Sequence, residues 1–218
     1  MIAGMTEVAF FIGRYLDALD LTREAARFAS VRDPFDVSAN GDLDCSTPDS
    51  FNFYYDTACI FSPPAPKAGD PPCTDPKFCN GFNPYILLDP GTDDIVITAF
   101  TVTNQVVTQT HPQPIGYYAF SNRTRDPSLV DRENWKRDCQ GNLTNTPPYY
   151  TAASIDRLLL SDPNMTTSKG FVTVEFYYCY HQVLNLPIIS DVLPNPLRIH
   201  VYTAMPLPAA QPTPTPIP

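Results

Sequence analysis

A chain of 218 residues, 43% hydrophobic and 12% aromatic, is long enough to bury one sizeable core, which excludes intrinsic disorder of the whole. Its net charge of −9 lacks the clustered Lys and Arg that a phosphate backbone or an anionic lipid surface demands, so nucleic acid is excluded as a partner. The 25 prolines favour loops and sheet edges over long regular elements.

Residues 1–32 are predicted as one amphipathic helix. It opens on an apolar stretch from Met1 to Ile12, interrupted by Glu7. Val8, Phe11, Tyr15, Leu19, Ala26 and Val31 recur at helical spacing, and Ile12, Leu16 and Phe28 widen the stripe. Arg14, Asp17, Asp20, Arg23, Glu24 and Arg27 fall mostly on other faces, with Asp20 and Arg23 at neighbour spacing. Asp33-Pro34 is a stop, because the residue before proline disfavours the helical region. The apolar opening is shorter than the roughly 20 residues of a bilayer span. It also lacks the basic segment and cleavage site of a complete signal peptide.

Residues 35–93 read as a long irregular stretch holding four cysteines and the run Ser62-Pro-Pro-Ala-Pro66, with short strands expected at Phe51–Tyr55 and Tyr85–Leu88. A loop of that length needs a staple. Ile95–Thr103 alternates and is rich in β-branched residues, so it is a strand, which Val106–Thr110 continues or pairs with, and Tyr117–Phe120 is another candidate. Asp126-Pro127 opens a short helix to about Arg137, and Thr151–Leu160 is a second. Gly170–Val183 and Leu197–Met205 are strands, and the Pro/Thr-rich residues 206–218 read as an extended tail. The fold class is therefore α+β: a long N-terminal amphipathic helix (1–33) lying on an antiparallel sheet domain (34–205) with disulfide-stapled loops, then the tail.

The six cysteines are Cys45, Cys59, Cys73, Cys79, Cys139 and Cys179, an even number that implies up to three disulfides in an oxidising compartment. Cys73 with Cys79, or Cys45 with Cys59, are the local pairings, and Cys139 is then left to join Cys179. Zinc is the competing reading, but there is no Cys-x-x-Cys and His111, His181 and His200 are not spaced as ligands. Sequons at Asn122, Asn142 and Asn164 are candidate glycosylation sites on exposed loops.

Two segments carry a family resemblance. The run Gly13-Arg-Tyr-Leu, continued by Leu21-Thr-Arg-Glu-Ala-Ala-Arg-Phe-Ala-Ser30, resembles the helix of TadE-like and TadG-like pilus-assembly proteins. The Val-Thr-Val-Glu-Phe strand, the apolar loop Leu184–Leu193 and the strand ending near Ala204-Met205 are similar to that family's C-terminal part. The resemblance covers roughly residues 5–33 and 170–205, and the cysteine-bearing middle stands outside it. It implies a pilin-like fold and a minor pilin or pseudopilin. Such a subunit is anchored in the membrane by a hydrophobic helix before assembly, then packed against other copies or related pilins through that helix at the cell surface. Aligned on Arg23-Glu-Ala-Ala-Arg27, Met1 falls inside the family's transmembrane helix, so the first half of that helix is expected to lie outside this chain. Glu7, Val8, Phe10, Phe11, Tyr15 and Leu19 become the candidate assembly residues, although type IV pilins place their glutamate at the fifth mature position and Glu7 follows no processing site.

Other chemistries are poorly supplied. Asp42 and Asp44, in Asp36…Asn40-Gly-Asp-Leu-Asp44, have part of a calcium-loop spacing without the bidentate Glu, and a polar turn explains them as well. Asp89-Pro-Gly-Thr-Asp-Asp94 reads as a turn into a strand, its carboxylates a weaker metal candidate than Asp42 and Asp44. Hydrolytic and phosphate-cradling motifs are missing, so no catalytic residue and no cofactor are expected. His181 beside Cys179 is read as a surface histidine next to a disulfide. The aromatic clusters at Phe51–Tyr55, Tyr117-Tyr118, Tyr149-Tyr150 and Tyr177-Tyr178 fit a subunit interface or a sugar-stacking platform. The expectation is a non-enzymatic structural subunit, with a secreted or membrane-anchored adhesin or carbohydrate-binding module, for which calcium is the candidate ion, as the alternative.

Overall fold

The computed structural model describes residues 2–35, 45, 52–62, 69, 86–89, 91–123, 133–144, 147–161, 170–185 and 194–208. Helix α1 is Ile2–Ser30. Helix α2 is Phe53–Cys59. Strands β1 (Asp94–Thr103), β2 (Val106–His111) and β3 (Tyr118–Ala119) follow, then α3 (Ala152–Ser161), β4 (Gly170–Tyr180) and β5 (Leu197–Leu207). The architecture is α+β, as the sequence leads one to expect.

The sheet is antiparallel, in the order β2-β1-β4-β5, with β3 pairing β1 beyond the end of β2. β1 is registered Asp94 opposite Tyr177 through Phe100 opposite Phe171. β5 is registered Leu197 opposite Tyr180 through Leu207 opposite Gly170. Alternation sorts the side chains to two faces. Ile95, Ile97, Ala99, Val172, Val174, Phe176, Ile199 and Val201 face α1 and α2 and make the main core with Phe53, Phe61 and the alanines of α1. On the other face, Val96 and Tyr177 meet Ala119 and Trp135, while Phe100 and Val102 meet Ile155 and Leu159 of α3. β1 is buried along nearly its whole length because both of its faces are covered.

Four sequence expectations need correction. Phe53–Tyr55 opens a helix and not a strand: Asn52 caps it by accepting the Tyr55 N–H at 3.1 Å, and Asp56 Oδ2 accepts the Asn52 N–H in return. That reciprocal cap outweighs the β-preference of the aromatics. Ile86 lies in a bend and Leu87-Leu88 have no regular structure, with no pairing to the sheet among the described residues, and Tyr85 lies outside them. Of the helix expected at 127–137, residues 124–132 lie outside the described residues, and Asn134–Lys136 is a single 3-10 turn. β4 stops at Tyr180 and not Val183, while β5 runs on through Pro206 to Leu207, where an edge strand tolerates proline.

Cys45 pairs with Cys59, and Cys139 with Cys179. Cys73 and Cys79 lie outside the described residues. Cys179 is therefore no partner for His181.

Candidate assembly surface

Helix α1 divides into two unlike halves. From Ala18 on, small side chains face the sheet: Ala18, Thr22, Ala25, Ala26 and Ala29 are all fully buried. Small residues let the helix axis approach closely, and Leu19, Leu21 and Phe28 fill the flanks. Among residues 3–13, Glu7 is the one buried side chain. Four large apolar residues of that half are turned outward: Met5 is 69% exposed, Val8 53%, Phe10 45% and Ile12 50%, whereas Phe11 packs toward the core. Met5, Val8 and Ile12 follow one another at steps of three and four, and Tyr15 and Leu16 stand three and four residues beyond Ile12, so the five form a single stripe. Phe10 lies off that stripe, so apolar surface extends beyond one face of the helix.

Glu7 sits 3% exposed against the end of β4. Its Oε1 accepts the Tyr180 hydroxyl at 2.7 Å and the Val183 N–H at 2.9 Å, and its Oε2 accepts the Leu184 N–H at 2.7 Å. Burial pushes the carboxyl up, but the bonds from Tyr180, Leu184 and Val183 outweigh it and leave Glu7 below its ordinary value. Phe11 adds an edge-to-face contact with the Tyr180 ring, centroids 5.6 Å apart. Tyr180 ends β4, and the bonds from Val183 and Leu184 carry the contact of α1 beyond the end of that strand. Of the other assembly candidates, Tyr15 is partly exposed and Leu19 packs against the core. Among the described residues no helix is long and apolar enough to cross a membrane.

A second patch gathers on the opposite face at the β5 edge. Glu175 of β4 is fully buried, and its two oxygens accept the N–H groups of Tyr149 and Tyr150 at 3.0 Å each. Tyr177 donates its hydroxyl to Glu175 Oε2 at 2.6 Å, and His200 Nε2 stands 3.3 Å from the same oxygen. These bonds hold residues 149–150 over the sheet, where Tyr149 stacks on Tyr202 with centroids 3.9 Å apart and His200 stacks on Tyr177 at 4.1 Å. Tyr149 and Tyr202 are exposed. The other aromatic clusters divide differently. Phe53, Tyr54, Tyr55 and Tyr118 enter the core, Tyr117 meets Trp135 edge to face, and Tyr178 stacks on Phe176 on the α1 face.

Beside this patch, Asp93 and Asp94 turn inward from the head of β1. Asp94 Oδ1 accepts the N–H groups of Ile95 and Ser121, and its Oδ2 accepts the Ser121 hydroxyl and the Trp135 N–H, all at 2.6–3.0 Å. Asp93 accepts the N–H groups of Asp89 and Cys179, each at 2.8 Å. Arg198 lies close by and donates to the Asn134 and Thr92 carbonyls. These carboxyl groups thus hold the turn, the 133–144 loop and β4 together, and their oxygens are taken up by backbone donors and the Ser121 hydroxyl.

Of the candidate glycosylation sites, Asn142 is exposed with its Nδ2 donating to Asp138 Oδ2. Asn122 is half-buried and accepts the Glu133 N–H, and Asn164 lies outside the described residues. The calcium candidates Asp42 and Asp44 also lie outside them. Sequence reasoning missed Glu175, His200 and Tyr202 as members of one cluster, although a lone acid inside Val172-Thr-Val-Glu-Phe176 is a signal that a buried charge has found donors.

Comparison with family models, with curated proteins and with solved structures finds no match.

Proposed function

We propose that this chain is a non-enzymatic structural subunit of an extracellular pilus-like filament or of its assembly machinery, of the TadE-like kind. The observation that carries the reading is the N-terminal half of α1, where exposed Met5, Val8, Phe10 and Ile12 surround an inward-facing Glu7. A helix that is apolar on its outer faces requires a cover, either lipid or the helices of neighbouring subunits. The sequence resemblance of residues 5–33 and 170–205 and the disulfides, which fit an oxidising compartment, support the same reading. Before assembly the helix rests in the membrane, and afterwards it packs against copies of itself or related pilins.

Electron microscopy of native material tests the proposal directly, with filaments expected. The double variant Val8→Glu/Ile12→Glu should abolish them while leaving the circular dichroism of the folded chain unchanged. A chain that stays monodisperse and monomeric, with no filament in native material, overturns the reading.

The exposed Tyr149–Tyr202 pair, backed by buried Glu175, favours one second reading: a platform on which sugar rings stack. In that case Tyr202→Ala should weaken binding to immobilised glycans at least tenfold with little change in stability. Absence of glycan binding by the native chain dismisses it.

A further inference from the structure

We infer that residues 2–12 of α1 form a separately releasable arm, latched to the body by Glu7 and hinged at Gly13. Its use in assembly rests on the proposed function, whereas the latch itself does not.

Three observations converge. The first is the change in packing along the helix: the half after Gly13 buries five small side chains completely, while Glu7 is the one buried side chain in residues 3–13. The two halves are therefore held by different means, one by close packing on the sheet and the other by hydrogen bonds with Phe11 beside them.

The second is the concentration of those bonds. All three donors to Glu7 come from Tyr180–Leu184, a short stretch at the far end of the chain. A carboxylate accepting three bonds is strongly held, and all three donors lie within one short stretch. Once the latch opens, an isolated helix of about this length is marginal in water and frays unless another surface receives it.

The third is Gly13. A Cβ built there meets nothing within 4 Å, so packing gives no reason for glycine. Glycine in a helix interior nonetheless disfavours the helix about fivefold relative to alanine. Gly13 thus weakens the backbone between Phe11, beside the latch, and Ala18, where close packing begins. Just beyond it, Arg14 and Asp17 form an ion pair at 3.6 Å that belongs to the body side. Release would swing Met5, Val8, Phe10 and Ile12 away from the body and present Glu7 to a neighbour's donors.

Amide hydrogen exchange on the full chain, disulfides intact and at fixed pH, tests this. The amides of residues 6–12 should exchange together with those of Val183 and Leu184, at least tenfold faster than those of 22–30. Glu7→Gln, which removes the charge, should speed both groups a further tenfold or more and leave 22–30 unchanged. Tyr180→Phe, which removes one donor, should do the same to a smaller extent and serves if Glu7→Gln does not fold. Gly13→Ala should slow residues 6–12 about fivefold. If all of α1 exchanges as one unit, or if neither latch variant changes residues 6–12, the latch is overturned. Filaments are scored on the same samples by microscopy. Filaments without the exchange pattern overturn the latch alone, and the exchange pattern without filaments in any sample overturns the assembly reading alone.

Discussion

At the scale of single residues, Asp94 shows how a carboxyl group is held in a core. Taking a carboxylate out of water is costly, and four donors from three parts of the chain offset part of that cost, burial still raising its pKa above the ordinary carboxylate value. Asp94→Ala strips Ser121 and Trp135 of their acceptor together, so unfolding by denaturant should show a loss of about 3–5 kcal/mol. At Asp93, burial raises the pKa to about 7, against the opposing hydrogen bonds from Asp89 and Cys179. The native state therefore holds a proton there that the unfolded chain releases near pH 4. Stability from this group is full below that value, falls as pH rises to about 7, and is level above it, a change of a few kcal/mol at most. Asp93→Asn should flatten the pH dependence of the unfolding midpoint between pH 4 and 7, and an unchanged slope would rule the assignment out. Neither role was legible in the sequence, where Asp89–Asp94 reads as a turn. The donors that turn these carboxylates inward lie 27, 41 and 86 positions away, and no local pattern encodes them. Glu7 is an intermediate case: its interruption of an apolar run marked it, but its partners stand at the other end of the chain.

At the scale of elements, local signals succeeded where they acted alone. The β-branched alternation of β1 and the Pro-terminated periodicity of α1 both became the expected structure. Phe51–Tyr55 misled because aromatic residues signal burial first and strand second, and the cap at Asn52 decided the geometry. Asn52→Ala should cost about 1 kcal/mol in thermal or denaturant unfolding, as the loss of an N-cap does. The Cys139–Cys179 bridge acts over a longer range. It ties the 133–144 loop, which carries Trp135, to the C-terminal end of β4, across a sequence separation of 40. By loop-closure entropy it stabilises the fold by about 4 kcal/mol, so the paired variant Cys139→Ala/Cys179→Ala should lower stability by roughly that much. Its pairing was reachable from the sequence only by leaving the two outlying cysteines to each other.

At the scale of the whole molecule, the helix-on-sheet arrangement was legible because one long helix and several strands leave few ways to bury both apolar faces. The division of α1 into a packed half and an overhanging half was not, since apolar residues recur through both. What separates them is the end of β4 at Tyr180, a boundary set by the sheet. The overhang bears on solubility. At rising protein concentration the native chain should self-associate, and Val8→Glu/Ile12→Glu should remain monomeric in light scattering. Equal behaviour of the two would place the association elsewhere on the surface.

The bond between Tyr180 and Glu7 spans 173 positions in the sequence. The helix is made early, whereas β4 and β5, which cover its alanine face, are made near the end. At a synthesis rate of about 5–20 residues per second, α1 waits on the order of ten to thirty seconds before its own sheet exists. During that interval both of its sides are apolar and bare, the side destined for the core as well as the side that remains outside. The nascent chain therefore exposes this apolar helix throughout that interval, and a lipid surface or a holding chaperone at the site of synthesis would shield it until β5 arrives.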